Sequence, residues 1–360
     1  MSTIQDVARL AAVSTATVSR YLSGEPVRAS ARIREVIAEL GYRPSVVARG
    51  LRSGRHDTFG VVVPDVTNPF FAGVVRGIEN VAGQRGVRVL LGNSDEDLTR
   101  EATLVDDLSR RVDGMILAPA TEHDDVPHVL ASAGVPVVLL DRAVQVGGRF
   151  DSVTVDNIVG AKLAARHLLG LGHRRIATIS GPLTSTPGRE RHEAFLDELG
   201  AGGADLESAL VEVADFREAG GRAAASRLLS LTQPPTALFV ANNLMTVGAL
   251  KALRALGVRV PEEVSVLGFD DLDLGALLDP PLTVIDRPTV EQGERAATVL
   301  VDRINAGAGP AVHVVLPVQL LVRQSTARPR RDPVKIIPST PGSTTHEHPT
   351  HEHPTVNTQQ

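Results

Sequence analysis

Between Phe59 and about Ser325 of this 360-residue chain, short apolar runs alternate with longer amphipathic stretches, and that alternation limits the possible folds more than any other feature. The runs are FGVVVP (59–64), VRVLLG (87–92), GMILAP (114–119), VPVVLL (135–140), RIATIS (175–180), TALFVA (236–241) and VSVLGF (264–269). They are rich in β-branched residues and nearly continuous, as strands buried on both faces must be. Between them, segments such as 71–86 and 161–173 carry helical periodicity and end in or beside glycine. Strand and helix in regular alternation imply parallel sheets in an α/β fold. About ten such units suit two doubly wound subdomains better than one very wide sheet.

In open parallel sheets, ligands bind beyond the carboxyl ends of the strands. Just past the apolar runs lie Asn68 with Phe70 and Phe71, Ser94 with Asp95, Asp141 with Arg142, Asn242, and Asp270. Arg189 is expected at the start of a helix that follows the run at 175–180. Carboxylates and amides share hydroxyl protons, arginine donates in a fork, and an aromatic face covers the apolar side of a sugar ring. Each residue also has a plainer reading. Asn157 and Asp271 suit helix N-caps, and Phe70 or Phe71 could belong to the core.

The first 42 residues read as a separate helical head. Ile4, Val7, Ala8 and Ala11 form one apolar face, and Ser14 suits the N-cap of a second helix, TATVSRYL (15–22). That helix turns Val18 inward and Thr15, Ala16, Thr17, Ser19 and Arg20 outward. Short hydroxyl residues can bond phosphates without holding the helix out of a DNA major groove, and one arginine can reach guanine O6 and N7. A third helix over 33–40 closes this small core with Ile33, Val36, Ile37 and Leu40. Residues 1–60 hold nine arginines against five carboxylates, a net +4, while the whole chain carries −5. A basic head on an acidic body points to a polyanion as partner for the head alone.

These residues carry a family resemblance. IQDVARLAAVSTATVSRYLSG with ELGYRPSVVARGLRSGR resembles the DNA-binding head of the lac repressor and purine repressor family. PDVTNPFF, GNSDED, RRVDGMILAP, LGHRRIATISGP and LGFDD resemble that family's effector-binding core, of periplasmic-binding-protein type. The resemblance covers about residues 3–326. It implies base reading by Thr15, Ala16 and Arg20, with phosphate contacts from Thr3, Ser14, Thr17 and Ser19. It also implies a hinge helix with Ala48 and Leu51 at the minor groove, and effector contacts from Asp141, Arg189, Asn242 and Asp270. The chain departs from the family in three places. Ala12 stands where a glycine is frequent, the connection 24–32 is short, and Arg287 replaces a usual glutamine. That arginine hints at an acidic ligand, or at a partner such as Asp286.

The division expected is a helix-turn-helix head (1–42), hinge and linker (43–57), core (58–327) and disordered tail (328–360). Within the core, one subdomain would combine 58–157 with 289–312, and the other 158–288 with 313–327. Loose metal binding by His346, His348, His351 and His353 of the tail is the lesser reading of that segment. There is no cysteine, so disulfides and thiolate metal sites are excluded. No Walker loop, dinucleotide fingerprint, nucleophile elbow or His/Glu metal pattern supports an enzyme, and no cofactor is expected. Without an export signal or an apolar span, the expected protein is a cytoplasmic homodimeric repressor with no membrane association. Its partners would be a near-palindromic double-stranded operator and a small effector, a sugar or sugar derivative. The resemblance leaves open whether that effector releases the operator or tightens the hold on it.

Overall fold

A computed structural model describes residues 2–42, 55–122, 130, 133–144, 150–207, 210–272 and 274–330. Ala48, Leu51, most of the expected hinge, and the tail beyond 330 lie outside these residues.

The head is three helices, α1 (Ile4–Leu10), α2 (Thr15–Leu22) and α3 (Ser30–Leu40). Val7, Ala8, Ala11, Val18, Ile33 and Val36 are buried against one another. Thr3 caps α1 in a capping box with Asp6, and Ser14 caps α2 by accepting from the Thr17 amide. Both caps satisfy amides that a helix start leaves without partners. Between these helices Ala12 adopts φ +54°, the left-handed conformation in which the family often has glycine. α3 starts three residues before the expected position, at Ser30, and has no side-chain cap. Ala29 at its N-cap offers no acceptor, in keeping with the unusual connection before it.

The core begins with β1 (Thr58–Val63), α4 (Pro69–Gln84), β2 (Arg88–Asn93), α5 (Leu98–Ser109), β3 (Gly114–Leu117), β4 (Val137–Leu140) and β5 (Asp151–Val155). It crosses into a second subdomain through α6 (Asn157–Gly170), β6 (Ile176–Ser180), α7 (Thr186–Ala201), β7 (Val211–Val213) and α8 (Glu218–Leu229). β8 (Ala237–Val240), α9 (Asn243–Ala255), β9 (Ser265–Phe269) and β10 (Thr283–Asp286) complete that unit. The chain returns through α10 (Thr289–Ala306) and β11 (His313–Leu316), then crosses a third time to β12 (Gln319–Leu321). The first sheet runs β11-β5-β4-β3-β1-β2, all parallel. The second runs β12-β10-β9-β8-β6-β7, with only β12 antiparallel.

All seven apolar runs are strands, mostly central ones. The other five lack a continuous apolar signature: β5 (DSVTV) and β10 (TVID) are mostly buried but interrupted by polar residues, and β7, β11 and β12 are short and mostly exposed or half-exposed. Two other expectations need correction. The change of sheet expected after residue 312 falls after Leu316, because β11 pairs with β5 over His313–Leu316. Asp156, not Asn157, caps α6, with its carboxylate accepting from the Val159 amide.

Each subdomain also contains a pair of helices in backbone contact. A Cβ on Gly77 of α4 would fall 2.0 Å from the Val290 carbonyl oxygen of α10, and one on Gly293 would fall 2.0 Å from that of Val74. Gly221 of α8 and Gly248 of α9 make the same reciprocal approach, at 2.4 Å from Met245 O and 2.1 Å from Glu218 O. No described helix is long and apolar enough to cross a membrane.

Candidate functional site

On the head, the residues expected to meet DNA share the outer side of α2. Val18 is wholly buried, whereas Thr15, Ala16 and Arg20 are exposed and Thr17 and Ser19 half-buried. Two of the supposed phosphate contacts already have other work. Thr3 and Ser14 hold the starts of α1 and α2, so any phosphate there would meet capped helix N-termini. Arg20 Nε lies 2.7 Å from Glu25 Oε2, an exposed pair that leaves both terminal nitrogens of the guanidinium for a base edge.

The second site is a narrow cleft between the subdomains. It opens at the carboxyl ends of both sheets. Asn68 follows β1 and caps α4, accepting from the Phe70 amide; Asn242 follows β8 and caps α9. Both therefore fulfil the plainer reading while also lining the cleft. Asn243 Nδ2 reaches across to Asn68 Oδ1 at 2.8 Å, a buried bond between the subdomains. Phe70 and Phe71 are likewise both core and lining.

Asp141 and Asp270 occupy equivalent places, immediately after β4 and β9, and both have positive φ, +63° and +71°. Such conformations are costly for non-glycine residues and concentrate where function fixes a side chain. Their carboxylates converge on Arg287, which sits at the second crossing between the subdomains. Arg287 pairs with Asp141 through Nη1 and with Asp270 through Nε, at 2.6 Å. Its guanidinium lies 3.5 Å over the Phe70 ring. Burial alone would push the Asp141 carboxyl up, but Arg287, Arg191 and Arg142 together hold it below its ordinary value. Asp286, the other suggested partner of Arg287, bonds Gln319 instead.

The remaining expected residues divide. Asp95 is not in the cleft wall; it pairs with Arg217 at 2.8 Å across the mouth, with both side chains about half exposed. Arg189 also lies outside the cleft. It pairs with Glu122 of the first subdomain at 3.0 Å, beside Thr186, whose hydroxyl bonds Glu122 and accepts the Ala143 amide. The arginine in the cleft is Arg191, 1% exposed, with Nε on Asn157 Oδ1 (2.8 Å) and Nη1 on the Ala241 carbonyl (2.7 Å). The signal was present in the sequence: Pro187, Arg191, Ala194 and Phe195 repeat at helical spacing along the buried face of α7, and Arg189 does not. Glu96, which grips Arg142 with two bonds of 2.7 Å, was missed although the turn after the run 87–92 was identified, because nothing in the sequence separates it from the adjacent Asp95. Phe216 and Arg217 follow β7, a strand too short to detect.

Residues 3–45 match the family profile described as bacterial regulatory proteins, lacI family, and residues 165–326 match a periplasmic binding protein-like domain. The HTH-type transcriptional regulator CelR of Thermobifida fusca is 37% identical over 332 residues, covering 90% of this chain and 98% of CelR. The chain belongs to the LacI family. The ribose operon repressor of Escherichia coli K12, another member, is 36% identical over 84% of this chain and 93% of its own length. A solved CelR–cellobiose complex superposes with TM-score 0.70 at 35% identity, covering 90% of this chain and all of that one. The lac repressor dimer bound to operator and an anti-inducer gives 0.81 at 28% identity, over 91% and 99%. In this LacI-family frame the head is the helix-turn-helix DNA-binding domain of a transcriptional regulator, and the chain is not an enzyme.

Proposed function

We propose that this LacI-family chain acts as a cytoplasmic homodimeric repressor whose two heads read the halves of a near-palindromic operator, and whose grip is released by a sugar-type effector bound between the subdomains. The carrying observation is the placement of Asp141 and Asp270. Each stands at the same position of its own sheet, and the two face one another across a cleft spanned by three chain crossings. A ligand held by both must set the angle between the subdomains, and with it the separation of two heads in a dimer. Two-fold protein symmetry then demands two-fold symmetry in the DNA.

Dimerisation is supported by apolar side chains left in solvent on both subdomains: Val66 and Leu91 beside the β2 edge, and Leu274 and Leu277, which are 65% and 80% exposed. Within the proposal, Thr15, Ala16 and Arg20 read bases, and Asn68, Phe70, Asp141, Arg191, Asn242 and Asp270 bind effector. Asp95 and Arg189 act instead at the closing edges. Ala48 and Leu51 keep their proposed place at the minor groove. The test is selection of bound sequences from random double-stranded DNA with the purified full chain. Enrichment of an inverted repeat is expected; enrichment of a single asymmetric half-site would contradict the dimeric reading.

A further inference from the structure

A cleft built for neutral polyols keeps carboxylate oxygens free to accept hydroxyl protons. Here the buried carboxylates are already engaged. Asp141 and Asp270 are both bound by Arg287, whose guanidinium also covers the face of Phe70 on which a sugar ring would stack. Glu96 is held twice by Arg142. The carboxylates of Asp65 and Asp215 at the rim accept main-chain amides.

Of the buried cleft atoms without a hydrogen bond, Asp270 Oδ1 and Arg287 Nε lie 2.6 Å apart as an ion pair, and the other two are donors. Arg191 Nη2 and Arg142 Nε are buried with no hydrogen-bond acceptor among the described residues. Arg191 spends its other bonds on an amide and a carbonyl, and among the described residues no carboxylate lies within ion-pair distance of it. Burial drives its pKa down to about 10, the mark of a charge without full compensation. The three buried arginines, 142, 191 and 287, match Glu96, Asp141 and Asp270 in number, while Asp65 and Asp215 against Arg217 at the rim bring the whole lining to −1.

We infer that the effector is an anionic sugar, carrying a carboxylate or phosphate, and that Arg287 selects for it. The inference rests on the cleft being the effector site. A group that only accepts complements orphaned guanidinium N–H groups, and charge-assisted bonds are about twice as strong as neutral ones. A neutral sugar would have to displace Arg287 from two carboxylates using neutral hydrogen bonds alone. An acid can share Arg287 with them, its acidic group on the guanidinium and its hydroxyls on the lone pairs of Asp141 and Asp270 that Arg287 leaves open.

Calorimetric titration with matched compounds tests this: glucose, glucuronate and glucose 6-phosphate; ribose and ribose 5-phosphate; cellobiose and cellobionate. At least one anion should bind the wild type at least about 10-fold tighter than its neutral counterpart, with the acid and phosphate arms telling the two anions apart. In Arg287→Gln that preference should collapse and the neutral counterpart should gain affinity. Should that variant fail to fold, Arg287→Gln with Asp270→Asn removes a carboxylate together with its partner, and the same loss of preference is expected. Equal or tighter binding of the neutral sugars by the wild type, binding of none of the anions, or an unchanged preference without Arg287 would overturn the inference. A compound bound equally by wild type and Asp270→Asn would show instead that the cleft is not the effector site.

Discussion

Arg20 is the residue on which the DNA-reading account depends most. Its exposure on α2, with both terminal nitrogens free of Glu25, suits a two-pronged contact to guanine. Arg20→Ala should lower discrimination between the selected operator and single-base variants by about 1–3 kcal/mol at one position. Effector binding should remain unchanged; fluorescence anisotropy and calorimetry read the two effects. Ala12 tests a smaller matter. Its φ of +54° lies where L-residues other than glycine pay about 1 kcal/mol, so Ala12→Gly should raise the head's urea midpoint by an amount equivalent to about 0.5–1 kcal/mol. The sequence made Ala12 conspicuous, since the turn it occupies is one where glycine is frequent. It also held the distinction between Arg189 and Arg191, but only in the helical spacing of Arg191 with Pro187, Ala194 and Phe195, since two arginines two residues apart satisfy the same motif.

At the scale of elements, continuous apolar runs were legible because a parallel strand covered on both faces has no polar side to interrupt it. β7, β11 and β12 were not, since each is three or four residues long and mostly exposed or half-exposed. The glycine contacts between α4 and α10 were equally hidden, because helical periodicity does not reveal which helix lies opposite. They give a clean contrast. Gly293→Ala drives a Cβ into the Val74 carbonyl and should destabilise the chain by about 1–3 kcal/mol in chemical denaturation. Gly83→Ala, near the end of α4 with open space around it, should be neutral or stabilising by up to about 1 kcal/mol. α5 carries a pH dependence of its own. Burial pushes the Glu101 carboxyl up to about 7, against the Ala120 amide it accepts at 2.7 Å and the nearby Arg142. A raised carboxyl pKa contributes stability that is complete below the unfolded value of 4.5 and is lost as pH climbs toward 7. Relative to Glu101→Gln, the wild type should therefore lose on the order of 3 kcal/mol between pH 4 and pH 8, measured by urea denaturation across that range.

For the whole molecule, the head, the two subdomains and the strand-end location of the cleft follow from patterns the sequence displays openly. The pairing inside the cleft does not. Arg287 stands far along the chain from Asp141, and only the crossing of β10 into α10 brings them together. The same geometry makes the cleft a coupling device, because Asp141 and Asp270 belong to different subdomains and a ligand shared by both biases their relative orientation. The most direct measurement is operator binding by wild type and Asp270→Asn, followed by anisotropy while the tightest-binding compound of the sugar panel is added. The wild type should release the operator as the compound saturates, and Asp270→Asn should bind DNA with similar affinity and fail to release it. Release by Asp270→Asn at the same concentration as wild type would contradict the claim that this cleft governs the head.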